Sequence, residues 1–359
     1  MQDDLIVDKT SSQNQHVSKK GNLLITIASL FIIIAGLKFS QSIVIPVLLS
    51  LFITILASPF LFWLRSKKVP DVLSLVLIIS LIAAFGTFSV GIIGSSSAEF
   101  STNLPSYEAQ LKLKTGVVFD LIESSGFNID MLQIRSLIKP ATVFQFVSSG
   151  LNQVGNMLAQ FLLILLMVSF MLMETSRLYS KLSKTGSKRP KLYEKTSDKT
   201  VSFIQTLIQK VNRYMFLKTL FSLITAICVT LFLSVYNIHY PFLWGFLAFL
   251  LNFIPNVGSI IAAIPVILLG FIQYNMTHAI IILCFYLIIN TVVGSIIEPK
   301  YMGKGLGLSP LFIFISLLFW GWLFGAIGML LAIPLTMVVK IVLETNPGTQ
   351  WAASIIGSS

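Results

Sequence analysis

Two stretches of this chain run without a charge for longer than one membrane crossing requires, and they limit what it can fold into. Phe242 to Phe271 is 30 residues and Gly305 to Val339 is 35 residues without Asp, Glu, Lys or Arg. As straight helices they would be about 45 and 52 Å long, at about 1.5 Å per residue, against a hydrocarbon core of about 30 Å. Both also contain helix breakers. The first has Asn252-Phe-Ile-Pro255-Asn256, then Gly258 and Pro265; the second has Gly321, Gly325, Gly328 and Pro334. Each run is therefore either a long, tilted, kinked helix or a hairpin of two half-helices that enters and leaves on one side.

The rest of the chain fits the same solvent. Only 11% of the residues are charged, against about 25% in soluble domains. In lipid every backbone polar group must be satisfied within its own segment, which favours helices of roughly 20 apolar residues. Six ordinary spans meet that condition, at about 21–37, 41–64, 71–94, 152–174, 215–236 and 279–297. The expected fold class is all-α: a polytopic transmembrane helical protein with six ordinary spans plus two broken or re-entrant segments, about eight in all. The polar start ends in Lys19-Lys20 and runs into an apolar stretch without a small-residue cleavage site, so it reads as a retained span and not a signal peptide.

Lysine and arginine set the expected orientation. Lys19 and Lys20 precede the first span, and Arg65, Lys67 and Lys68 separate the second from the third. Ten more basic residues lie between Arg177 and Arg213. The positive-inside rule puts all three groups in the cytoplasm. The expected organisation is a cytoplasmic tail 1–20, three spans in 21–94, and an extracytoplasmic helical module 95–151. A span 152–174, a basic amphipathic cytoplasmic segment 175–214, a broken-helix bundle 215–343 and a cytoplasmic tail 344–359 follow. The amphipathic helix through Val201, Ile204, Leu207, Ile208 and Val211 is expected to lie on anionic lipid headgroups, to pack under the bundle, or simply to present a solvated basic face. The loop 298–307 is cytoplasmic if the long runs are hairpins and external if they cross; Lys300 and Lys304 favour the inside.

A net charge of +11 would suggest nucleic acid in a soluble protein, but here topology accounts for it, and no nucleic-acid partner is expected. The two cysteines, Cys228 and Cys284, lie in apolar runs, and the three histidines form no cluster with metal-ligand spacing. No phosphate-binding loop is present and no nucleophile with a paired base stands out. The chain reads as a non-enzyme without cofactor or metal.

Broken helices leave N–H and C=O groups unpaired, tolerated at membrane depth only where they line a cavity or meet a ligand. Asn252, Pro255, Asn256 and Gly258 fit that logic, as substrate-binding or gating residues or as ties for the freed backbone. Asn290, deep in a span, could bond a neighbour or a solute. Glu298, Gly303, Ser309 and Pro310 form a second candidate segment; Glu298 is the candidate for a coupling ion, or a surface ion pair with Lys300 or Lys304. Gly321, Gly325 and Gly328 have small-residue spacing for helix packing, followed by Pro334. Lys38 and Lys218, near span ends, read as snorkelling side chains.

These motifs carry a resemblance. Asn252-Phe-Ile-Pro-Asn-Val-Gly258, then Glu298-Pro-Lys-Tyr-Met-Gly303 with Leu308-Ser-Pro310, then Trp320-Gly-Trp-Leu-Phe-Gly-Ala-Ile-Gly328 with Ala332-Ile-Pro334 resemble, in order, the signature of the autoinducer-2 exporter family. The resemblance implies a transporter of the bacterial inner membrane that exports a small hydrophilic signal or metabolite, as a homo-oligomer with a pentamer as candidate stoichiometry. That family also includes Na⁺(Li⁺)/H⁺ antiporters, so the resemblance leaves antiport open beside export. A membrane scaffold that transports nothing is the reading from another class.

Overall fold

The computed structural model describes residues 28–124, 160–185, 194–255, 257–302, 308–345 and 348–357, with Ile25 and Ser149. No strand occurs among them. Helices occupy the regions of the expected ordinary spans: α1 (Ala28–Phe39), α2 (Gln41–Ser66), α3 (Asp71–Ser124), α4 (Phe161–Thr185), α5 (Glu194–Val235) and α8 (Met276–Ile289); of these α2, α3, α5 and α8 with its continuation are long and apolar enough to cross a membrane. Helix α8 continues through a π-helix, Asn290–Ile297, into α9 (Glu298–Met302).

Helix α3 differs from the sequence expectation. It is one helix of 54 residues that passes residue 94 and Pro105 without a break, about 81 Å at 1.5 Å per residue. The third span and the start of the module beyond it are thus continuous. Packing explains this: Phe100, Tyr107 and Leu111 are buried in one cluster with Trp244, Val266, Leu269 and Ile272. The rest of that module, Ser149 apart, lies outside the described residues.

Both long uncharged runs are hairpins. In the first, α6 (Pro241–Leu251) and α7 (Val257–Gln273) pack side by side, joined at Asn252–Pro255. Its two ends meet: the His239 amide donates to Gln273 Oε1 at 3.2 Å, and Tyr274 Oη donates to the Asn237 carbonyl at 3.3 Å. The second is α10 (Pro310–Thr345), broken at Gly325, whose φ of 67° and ψ of −147° only glycine adopts readily. Across that tip Trp320 Nε1 donates to Thr336 Oγ1 at 3.0 Å, and Leu317 packs with Ala332. By length and composition alone α10 would pass as a crossing helix; its backbone returns instead.

A shared device closes each tip. A Cβ on Gly258 would stand 1.7 Å from the Leu251 carbonyl oxygen, and one on Gly328 would stand 1.8 Å from the Trp320 carbonyl oxygen. Both glycines let the second limb start against the last carbonyls of the first. Gly321 also packs within its own hairpin, where a Cβ would lie 2.7 Å from Met329. The glycine spacing of 321–328 therefore serves two limbs of one hairpin, and Pro334 is buried in the second limb.

The hairpins enter from opposite ends of the bundle. Residues 237–240 and 271–274 lie beside the α3 extension, where Asn103 Nδ2 donates to Tyr240 Oη at 2.9 Å. The base of the second lies at the basic end, where Leu308 and Ile356 join Val211, Tyr214 and Met215, and Phe60 meets Phe216. There the Ser309 amide donates to the carbonyl of Ile356 in α11 (Gln350–Ile356). The tips meet in between: Ile254 packs on Leu317 and Ala332.

Candidate functional site

Helix α5 is apolar over its crossing, but one stripe is not. Lys218, Ser222 and Thr225 recur at helical spacing and are buried, at 5%, 0% and 8% exposure. Facing them, Tyr286, Asn290, Gly294 and Glu298 recur in steps of four along α8, the π-helix and α9. The first hairpin brings Asn252 between these rows.

The polar groups meet in two places. Asn252 Nδ2 donates to Ser222 Oγ at 3.0 Å, both buried. Next to them Thr225, Asn252, Ser259, Tyr286, Asn290 and Gly294 line a cleft with Ala248, Ala262 and Ile289. In this conformation it is barely wide enough for about one water molecule. A Cβ on Gly294 would lie 3.1 Å from Asn290 Oδ1, so glycine there keeps the amide reachable. Tyr286 is 5% exposed, and among the described residues its hydroxyl has no hydrogen-bond partner. Buried polar groups are normally satisfied, and exceptions point to strain or to a missing ligand.

The second meeting point lies one turn closer to the basic end. Lys218 Nζ donates to Glu298 Oε1 at 2.7 Å, and both residues are buried. This corrects two sequence readings. Lys218 does not snorkel, and Glu298 pairs with this lysine 80 residues upstream and not with the nearby Lys300; Lys304 lies outside the described residues. Lys38 does not simply snorkel either: its ammonium donates to the Trp322 and Leu323 carbonyls at the second hairpin's tip.

Of the predicted site residues, Asn252 and Asn290 share the cleft, Gly258 and Pro255 form the tip beside it, and Glu298 stands one turn away. Ser309 and Pro310 start α10 at the basic end and do not line the cleft. Asn256 and Gly303 lie outside the described residues. Sequence reasoning missed Ser222, Thr225 and Tyr286, and misread Lys218. The signal was present as Lys218, Ser222 and Thr225 at i, i+4 and i+7, one face of a mostly apolar span.

The π-helix beside the cleft is a rare form that concentrates at functional sites. Residues 27–348 match the AI-2E family transporter profile. The chain belongs to that family. The Escherichia coli AI-2 transport protein TqsA is 35% identical over 334 residues, covering 93% of this chain and 95% of TqsA. A relative from Haemophilus influenzae is 38% identical over 336 residues, covering 93% of this chain and 95% of its own. E. coli YhhT is 33% identical over 341 residues, 94% of each chain. The family and these relatives are transport proteins and not enzymes, and with its long apolar helices this member is a multi-pass membrane protein.

Proposed function

We propose that this chain exports a small, uncharged, hydroxyl-rich solute of the autoinducer-2 kind, a quorum-sensing signal, across the bacterial inner membrane through the Asn252–Tyr286–Asn290 cleft. One observation carries the reading: Tyr286, whose buried hydroxyl has no hydrogen-bond partner among the described residues, lines a small, largely apolar cleft together with the amide-bearing Asn252 and Asn290 and the hydroxyl-bearing Thr225 and Ser259. Such a lining suits a ligand that both donates and accepts hydrogen bonds and has no net charge to desolvate. TqsA's name gives the same solute class for a relative. The cleft is closed here, as alternating access requires of one of its states.

A second reading, Na⁺(Li⁺)/H⁺ antiport, is favoured by Glu298, a buried carboxylate on the same path. Purified protein in proteoliposomes, loaded with labelled autoinducer-2, distinguishes the two. Export predicts efflux above that of empty liposomes without any imposed sodium gradient. Antiport predicts sodium-driven proton movement and no solute efflux. We also propose that both termini are cytoplasmic and that the assembly is a homo-oligomer, a pentamer by family resemblance; light scattering of the detergent-purified protein tests the stoichiometry.

A further inference from the structure

We propose that Lys218 and Glu298 form the inner gate of this cleft, the contact that breaks and reforms to admit solute from the basic end. The proposal deepens the export reading, and its first test needs no solute. The pair sits two turns from Thr225 along α5 and one turn from Gly294 along the facing helix, so it bridges the two helices that flank the cleft. The same helices also meet beside the pair, where the rings of Phe221, three residues beyond Lys218 on α5, and Tyr301, three residues beyond Glu298, lie 5.9 Å apart. Whatever passes between α5 and α9 has to part this pair.

Chemistry favours a gate over a staple. A buried ion pair is seldom a strong source of stability, because desolvating both groups offsets most of their attraction. Apolar residues of similar size would hold two helices together as well. The pair gives something they cannot: a contact at 2.7 Å that shuts when both charges are dry and loosens when water or a polar solute reaches either. The π-helix immediately before Glu298 adds the means of movement. A change from π to α register over Asn290–Ile297 would turn the residues beyond it by up to about 100°, carrying Glu298 away from Lys218.

The test reads access to the cleft. With Cys228 and Cys284 replaced by Ala, a cysteine is placed at Thr225 in inside-out vesicles, and a membrane-impermeant maleimide is added from the cytoplasmic face. With the native pair, labelling is slow. In Glu298→Gln and in Lys218→Met it rises at least about tenfold, the factor that about 1.4 kcal/mol of lost closure gives. In the exchanged variant Lys218→Glu/Glu298→Lys it is slow again. Fast labelling with the native pair, slow labelling in both single variants, or no recovery in the exchange overturns the gate. Should the single variants fail to assemble, Phe221→Cys/Tyr301→Cys, joined by a short bis-methanethiosulfonate, takes their place. Bridging should stop autoinducer-2 efflux and reductant should restore it, whereas undiminished efflux through the bridged protein overturns the proposal. An ungated cleft with normal efflux would sink the gate alone; a gated cleft without efflux would sink only the export reading.

Discussion

Replacing Tyr286 with Phe removes one oxygen and almost no volume, so its effects on stability and on binding can be separated. In the closed protein that oxygen is buried and has no partner among the described residues. An unsatisfied buried hydroxyl costs roughly 1–3 kcal/mol. Removing it should leave the resting protein as stable as before, or more stable by up to about that amount. Solute binding should move the other way. Losing a neutral hydrogen bond costs about 0.5–1.5 kcal/mol, and about 1–3 kcal/mol if the solute's own buried hydroxyl is left unpaired. At about 1.4 kcal/mol per decade, affinity falls about 2- to 13-fold in the first case and about 5- to 150-fold in the second. Equilibrium binding of labelled autoinducer-2 and thermal unfolding in detergent would be measured on the same preparations. Weaker binding with undiminished stability is the expected pair of results. Unchanged affinity, or a clear drop in melting temperature, would show that Tyr286 is an ordinary core residue and would refute the assignment.

Three further outcomes follow from the hairpins and the bundle ends. Gly325→Ala should cost about 1–3 kcal/mol from its positive φ, and Gly328→Ala at least as much from the clash with the Trp320 carbonyl. Gly91→Ala, with open space around it, should be neutral or slightly stabilising by the same melting assay. Lys114→Met removes an ammonium that donates to the carbonyls of Phe271, Ile272 and Tyr274, at 3.1, 2.7 and 2.6 Å; hydrogen exchange at 271–276 should accelerate, and unchanged protection would count against this cap. Cysteines at Ser106 and Lys188 should label from opposite faces of spheroplasts, while one at Lys300 stays shielded from an external reagent; ready external labelling of Lys300→Cys would place loop 298–307 outside.

Much of this architecture was legible because the bilayer leaves few choices. Runs of uncharged residues located the crossings, and breakers in runs that were too long announced two interrupted segments. Whether these crossed or returned was not legible. That depends on close backbone approach at Gly258 and Gly328, a pairwise property that composition does not carry. That the third span and the polar module expected from residue 95 are joined in one helix was not legible either. In the structure α3 continues past that point, and Phe100 finds a buried seat against the first hairpin. In the site, Asn252 and Asn290 were visible as amides among apolar neighbours. Lys218 was visible too, but its partner lies 80 residues away, and distance along the chain favoured Lys300 for Glu298.

Lys38, read from the sequence as snorkelling, and Lys114 together show how the fold makes broken helices tolerable. A half-helix that ends inside a bundle presents unpaired carbonyls carrying about half a negative charge. The limb 310–324 ends at Gly325, and Lys38 from α1 supplies the cation, donating to Trp322 O at 2.5 Å and Leu323 O at 3.3 Å while lying over the Trp322 ring. Helix α7 ends at Gln273, and Lys114 from the α3 extension meets its carbonyls in the same way. Each hairpin is thus tied by a cation from a helix outside it. Neither tie lies in the cleft, so displacing either helix would loosen a hairpin without touching a solute contact. The α3 extension, continuous with the apolar part of α3, is thus anchored on the base of the hairpin whose tip carries Asn252.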